Sequence, residues 1–542
     1  MCCNLGSLLL NDTDILIVGG GIAGICAAIE ALEGGRRVTL LDRDSPGHFG
    51  GLARESFGGM FLVDTPEQRR HGFLDSPERA LADWHSFAEF APEDHWPRAW
   101  AEAYVHRCRE DVGGWLRAGG VRYFPVPNWV ERGLDVPGNS VPRFHMVWGT
   151  GHALALNLIG RLHKHPRNRN LTLRFHHRVD NLLTREGRII GVTGENEEDR
   201  SSFELQAAAV IVATGGINGC IERVRQHWHS DWGQPPETIL NGSHRYADGR
   251  LHDAVSRLGG AVTHLDRMWN YAAGVHHPRP RKPGHGLSLV PPRSALWLNA
   301  RGERIGPRPL VTGFDTRDLV TQICQLDGGH SWQLMNRRIA LKELAVSGAE
   351  FNPSIRERRP LAFLRDLLFG NRWLYSQMIG VCEDFVVAET LPELVERMNT
   401  LNGERTVDLS AVRAAAEAYD TAIDRGEPFA DEQLRRIALL RQWKGDRIRT
   451  CKFQKILDPK AGPLIAVREF IISRKSLGGI QTNLAGRVLD RSGQPIPGLY
   501  AAGEAAGFGG GGMHGLRALE GTFLGSCVLG GRIAGQEAAK DT

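Results

Sequence analysis

An apolar run that stops on a glycine triplet, Asp14-Ile-Leu-Ile-Val-Gly19-Gly-Gly21-Ile-Ala-Gly24, and then continues as the alanine-rich segment Ile25–Leu32, limits this chain more than any other feature. The order of apolar strand, Gly19-x-Gly21-x-x-Gly24 and helix-forming residues reads as the strand, tight turn and helix of a dinucleotide site. Each glycine has its own task. Gly19 permits the turn, Gly21 lets the backbone approach a pyrophosphate, and Gly24 lets the helix sit close to the strand. The first amides of that helix then face the phosphates. A second strand, Arg37-Val-Thr-Leu-Leu, ends at Asp42, about 20 residues beyond the glycines, where a carboxylate accepts hydrogen bonds from ribose hydroxyls. The ligand is a dinucleotide, with FAD and NAD both open at this point.

A chain of 542 residues is too long for one hydrophobic core, so at least two domains are expected. A net charge of +4 is too small for this size to argue for nucleic acid or an anionic surface. The basic clusters at Arg356–Arg359 and Arg435–Arg436 carry acids nearby and read as solvated faces. Nine scattered cysteines, with no C-x-x-C and no Cys/His cluster, argue against an iron–sulfur or structural zinc site and suit a reducing compartment. The amino-terminal stretch 1–12 lacks the basic residues of a signal peptide, and the longest apolar stretch, from Ile15 to Ile29, falls short of a membrane span. A soluble, cytoplasmic protein with no transmembrane segment is the expectation.

Beyond Asp42 lies a loop with two glycine pairs, Gly50-Gly51 and Gly58-Gly59, of the kind that brings backbone amides against a planar ligand. Residues 76–150 begin with a helical pattern whose aromatics, Trp84, Phe87, Trp96, Trp100, Tyr104 and Trp115, read as core-facing stripes. A helix from Ala153, strands at 171–175, 178–183 and 188–192, and a buried strand Ala207–Ala213 ending in Thr214-Gly215-Gly216 follow. Composition shifts at His276–Pro283, and helices are expected at 391–401 and 410–423.

The segments Ala213-Thr-Gly-Gly216, Gly478-Gly-Ile-Gln-Thr-Asn483 and Pro497-Gly-Leu-Tyr-Ala-Ala-Gly503-Glu504 resemble those of the fumarate reductase/succinate dehydrogenase flavoprotein superfamily. Within it, the chain is similar over nearly its full length to FAD-binding dehydrogenases of the 3-ketosteroid-dehydrogenase-like kind. The resemblance implies an α/β fold in which a discontinuous, Rossmann-like FAD-binding domain of the two-dinucleotide-binding type (GR2) carries an inserted α+β capping and substrate domain. The expected boundaries are 1–276 and 451–542 for the FAD domain, with 76–150 as a helical excursion, and 277–450 for the cap. By the same resemblance Glu504 bonds the ribityl chain, Gly521 and Thr522 open a helix aimed at the flavin, and Val179 holds the adenine. Gly50, Gly51, Ser56, Gly58 and Gly59 would line the isoalloxazine, and Ile22, Ala23, Arg43, Leu52, Ala213, Thr214, Gly215 and Gly503 complete the cofactor set. The position of the tethering histidine of the respiratory members is Leu52, so the FAD is expected to be noncovalent; His48 is the nearest candidate for a tether.

The chain also departs from these families. Arg517 stands one place before the position, Ala518, that matches the fumarate reductases' proton-delivering arginine, and Arg474-Lys475-Ser476-Leu477 replaces their histidine pair. The Gly507–His514 run lacks the tyrosine of steroid Δ1-dehydrogenases. A desaturase needs a base for the proton α to a carbonyl and an electrophile for the enolate; Tyr271, His514 and Arg517 are the candidates. The expected reaction is dehydrogenation of a CH–CH bond beside a carbonyl, in a 3-oxosteroid or other bulky hydrophobic ketone. No second GxGxxG follows a strand, so no dedicated NAD(P)H domain is expected and electrons leave to an external acceptor such as a quinone, a flavin-transfer partner or oxygen. The rival readings are a reductase of unsaturated carboxylates and a flavoprotein subunit of an electron-transfer complex.

Overall fold

The computed structural model describes residues 13–426 and 430–542. The stretch 1–12, with the reading made of it and with Cys2 and Cys3, lies outside them. Ile15–Val18, Val38–Leu41, Leu171–Arg174, Ala209–Val212 and Pro495–Ala501 form a parallel sheet, and Arg487–Leu489 adds an antiparallel edge. Its central strand Ile15–Val18 is at most 4% exposed, which is why it reads as a continuous apolar run: both faces are covered. The helix Ile22–Glu33 covers one face and packs on the C-terminal helix Thr522–Asp541, whose Gly531 and Gly535 sit against the backbone of Ala23 and Ala27.

A three-stranded antiparallel sheet, His177–Arg185, Arg188–Asn196 and Ser202–Gln206, sits beside this layer. The helical excursion comprises Pro77–Ala88, His95–Arg107 and, after a π-turn, Trp115–Ala118. Trp84, Phe87, Trp100 and Tyr104 are buried in the same core as the dinucleotide-motif helix. Trp115 is half-buried beneath the guanidinium of Arg161, which lies 3.7 Å from its ring centre.

A second, eight-stranded sheet is built on the long strand Leu464–Ser476, which pairs with Met268–His276, Ser331–Asn336, Ile239–Asn241 and Phe385–Ala388. The helices Leu391–Asn402 and Leu409–Asp424 flank it, close to where the sequence puts them, and begin on the side-chain caps Thr390 and Asp408. Here the architecture differs from the boundaries expected at 277 and 450. Two central strands of the inserted sheet, Met268–His276 and Leu464–Ser476, lie outside that interval. The composition shift at 276–283 marks the loop of the hairpin between Met268–His276 and Gly286–Val290, not the start of a new layer.

Candidate active site

The ends of both layers meet around one cleft of about 410 Å³. Gly19, Gly21, Ile22, Ala23, Asp42 and Arg43 line one side, and Gly50, Gly51, Leu52, Ser56, Gly58 and Gly59 the next. Val179, Ala213, Thr214, Gly215, Glu504 and Gly521 complete the wall on the parallel-sheet side. Gly24, Gly503 and Thr522 stand behind that wall. A Cβ on Gly24 would lie 1.9 Å from the Gly19 carbonyl oxygen, so this glycine serves helix–strand packing. Gly21 is different. Its backbone is ordinary extended chain (φ −76°, ψ −177°), and a Cβ there would meet nothing within 4 Å. Nothing in the protein itself requires glycine at this position; the room it leaves belongs to the cleft.

Asp42 accepts the Asp44 amide at 2.8 Å, and burial pushes its carboxyl above the usual range. Arg43 is held by Glu197 and Asp248 at 2.8–3.0 Å and lies over the Tyr246 ring, so its charge is satisfied within the protein. Glu504 accepts the Ser476 amide at 2.9 Å, and burial pushes its carboxyl up to about 7.

Opposite the glycine loops, three ionisable side chains touch. Tyr271 and Lys475 come from the paired strands Met268–His276 and Leu464–Ser476. The Tyr271 hydroxyl donates to the Glu520 carboxylate in a short hydrogen bond and accepts one from Lys475 Nζ at 3.1 Å. Trp269 Nε1 donates to the same Glu520 oxygen at 2.8 Å, and Lys475 Nζ lies 3.9 Å from the Phe523 ring centre. Burial pushes the Lys475 ammonium down to about 8. Burial and the Glu520 charge raise the Tyr271 phenol well above its ordinary value. Glu131 also faces the cleft, bonded to the Thr316 hydroxyl and amide; burial, and then Asp315, push its carboxyl well above the usual range.

His514 and Arg517 do not line this cleft. His514 is 1% exposed, its Nε2 lies 2.7 Å from Thr522 Oγ1, and burial pushes it down to about 3, so the ring is neutral. Arg517 donates from Nε to Asp315 at 2.7 Å and is paired with Glu89. Of the three residues read as catalytic, the structure brings Tyr271 alone to the cleft.

The FAD binding domain family matches residues 14–524. The chain belongs to that family. It is 44% identical to a KsdD-like steroid dehydrogenase of Mycobacterium tuberculosis strain H37Rv, over 97% of this chain and 96% of that protein. It is 42% identical to a KsdD-like steroid dehydrogenase of Mycolicibacterium smegmatis, over 98% of this chain and the whole of that protein. Its fold superimposes on the crystal structure of the 3-ketosteroid-Δ4-(5α)-dehydrogenase of Rhodococcus jostii, in complex with 4-androstene-3,17-dione, with a TM-score of 0.62 at 22% identity, covering 97% and 96% of the two chains.

The protein is therefore an FAD-dependent oxidoreductase, and the cleft fits that cofactor. The open space beside Gly21, at the start of a 12-residue helix, suits a pyrophosphate, and the half-buried acceptors Asp42 and Glu504 suit hydroxyl groups. The sequence gives little warning of Lys475 and Glu520 in this flavoprotein. Lys475 follows Arg474 at the polar end of the strand Leu464–Ser476, where the sequence shows only that the pair replaces other residues. Glu520 is adjacent to the helix-opening Gly521, and only the meeting of two distant strands shows what it faces. Among the described residues, no helix is long and apolar enough to cross a membrane.

Proposed function

We propose that the flavoprotein dehydrogenates a CH–CH bond next to the carbonyl of a 3-oxosteroid or similar hydrophobic ketone, using Tyr271, Lys475 and Glu520. The observation that carries this reading is the hydrogen-bonded series Lys475–Tyr271–Glu520 in the cleft wall. FAD, when bound, supplies the two-electron acceptor for the departing hydride. Tyr271 takes the proton α to the carbonyl onto its phenolic oxygen while its own proton passes to the Glu520 carboxylate. Lys475 donates to that oxygen throughout and offsets the developing negative charge. His514 acts as a positioning residue, fixing Thr522 at the start of the C-terminal helix, and Arg517 ties the cap to the FAD domain through Asp315. The relatives named above for a steroid substrate support the choice of ketone.

In this reading Gly21 adjoins the pyrophosphate, Asp42 the adenosine ribose, Glu504 the ribityl chain and Val179 the adenine. Gly50, Gly51, Leu52, Ser56, Gly58 and Gly59 border the isoalloxazine, and the cap comprises the inserted sheet, from Met268 to Ser476 with the short strand Ile239–Asn241, and its helices. The FAD is noncovalent: Leu52 carries no nucleophile, and His48 is bonded to Ser45 and Asp44. Acid precipitation of the pure protein is expected to release all its flavin to the supernatant; flavin retained in the pellet would identify a tether. The electrons leave to an external acceptor.

The deciding experiment is an anaerobic visible spectrum before and after addition of saturated 3-oxosteroids. Bleaching of the oxidised flavin, with a desaturated product by mass spectrometry, is expected. No bleaching, together with rapid reoxidation of dithionite-reduced enzyme by an unsaturated acid, would replace this reading with that of a carboxylate reductase.

A further inference from the structure

In the cap the same cleft is lined by apolar Leu289, Val290, Pro291 and Leu319 and by the charged residues Arg293, Glu343, Asp446 and Arg449. Asp446 is claimed on both sides: Arg132 donates to its Oδ2 at 2.5 Å and Arg293 to its Oδ1 at 2.6 Å. Arg293 spends a second nitrogen on Thr450 at 2.7 Å. Glu343 is also saturated, accepting the Ser294 hydroxyl and the Cys451 amide at 2.6 Å on one oxygen and the Ser294 amide at 3.1 Å on the other. The third guanidinium, Arg449, lines the cleft half-buried, and among the described residues nothing hydrogen-bonds or ion-pairs with it. Three arginines therefore face two acids, and neither acid is hydrogen-bonded to Arg449.

With no hydrogen-bonded partner among the described residues, this guanidinium keeps five fixed donors matched to a carboxylate. Burial and then Arg293 push against its charge, while Asp446 and Glu343 favour it. The cofactor's own anions belong at the glycine turn on the other layer, so they do not answer this cation.

We infer that Arg449 is the anchor for a carboxylate on the substrate, making the preferred substrate a steroid-like ketone with an acidic side chain rather than a neutral one. The inference rests on the ketone-dehydrogenase reading of the cleft. The apolar stretch accepts the ring system with its ketone toward Tyr271, and the acidic tail reaches Arg449 at the far end. Charge-assisted bonds of this kind discriminate by about 10- to 100-fold.

The test uses the flavin-loaded enzyme and two probes, a 3-oxosteroid with a side-chain carboxylic acid and the methyl ester of the same acid. Binding is read by perturbation of the oxidised flavin spectrum, and turnover separately by product formation. The native enzyme is expected to bind the acid about 10- to 100-fold more tightly than the ester, with the preference in KM and not in kcat. Arg449→Gln removes that preference while leaving flavin content unchanged, and Arg449→Lys restores part of it. Equal binding of acid and ester by the native enzyme, or a preference that survives Arg449→Gln, overturns the inference. Oxidation of neither probe counts against the dehydrogenase reading, whereas the acid-over-ester ratio in the titration bears on Arg449 alone.

Discussion

Tyr271 shares its hydroxyl with a cation and an anion, and the three residues should respond differently to substitution. Tyr271→Phe keeps the ring and loses the proton, so kcat/KM should fall by about 100-fold or more with the flavin spectrum intact, as single-turnover reduction would report. Lys475 carries charge below about 8 and is neutral above it. Its charged form offsets the phenolate, so activity should decline as pH rises through about 8, and Lys475→Met should lower the plateau and abolish that decline. His514 makes its mark on stability. Its folded-state value of about 3 lies below the ordinary 6.5, so between those values the unfolded chain binds the proton and the folded chain does not. The stabilisation is complete above pH 6.5 and is lost as pH falls toward 3, by at most about 5 kcal/mol. Thermal melts from pH 7 to pH 4.5 should therefore drop more steeply for the native enzyme than for His514→Gln.

At the scale of elements, the strand–turn–helix offers a contrast between two neighbouring glycines. Gly21→Ala meets no atom of the protein within 4 Å and should fold with an unchanged Tm at low flavin occupancy. Gly24→Ala drives a methyl to 1.9 Å from the Gly19 carbonyl, at a cost of ~1–3 kcal/mol or more, and should lower Tm before flavin is considered. Circular dichroism melts with flavin quantitation separate the two. This motif was legible in the sequence because its contacts are local: the spacing from Gly19 to Gly24 prescribes the turn. The partnership of Tyr271 with Lys475 was not legible, because it depends on antiparallel pairing across some 200 intervening residues and on a register shift beside Tyr271. His514 and Arg517 misled for the converse reason. Nearness in sequence to the helix that opens at Thr522 leaves open which way a side chain turns, and theirs turn toward Thr522 and Asp315.

Across the whole molecule, the cap and the FAD layer are clasped by polar contacts. Arg517 holds Asp315, which caps the helix Thr316–Cys324, and the Ala349 amide donates to the Glu55 carbonyl at 2.9 Å. Asp315→Asn should loosen the clasp and alter kcat and KM together with flavin affinity unchanged, as steady-state kinetics beside flavin titration would show. The two-layer plan was readable from the resemblance carried by the motifs at 213–216, 478–483 and 497–504, whereas the border between layers was not: loops rich in proline and arginine announce themselves in composition, but strands shared between layers do not. The strand Leu464–Ser476 is such a shared piece. One end pairs with Ser331–Asn336 in the depth of the cap, and the other carries Lys475 and the Ser476 amide that holds Glu504. Tyr271 lies on its neighbour, so the pair proposed to handle the proton is cut from the same cloth as the cap. On the proposed roles, a chimera that exchanged residues 268–476 between two such flavoproteins would transplant reactivity along with selectivity, the recipient keeping the Glu520 carboxylate and the place for its cofactor.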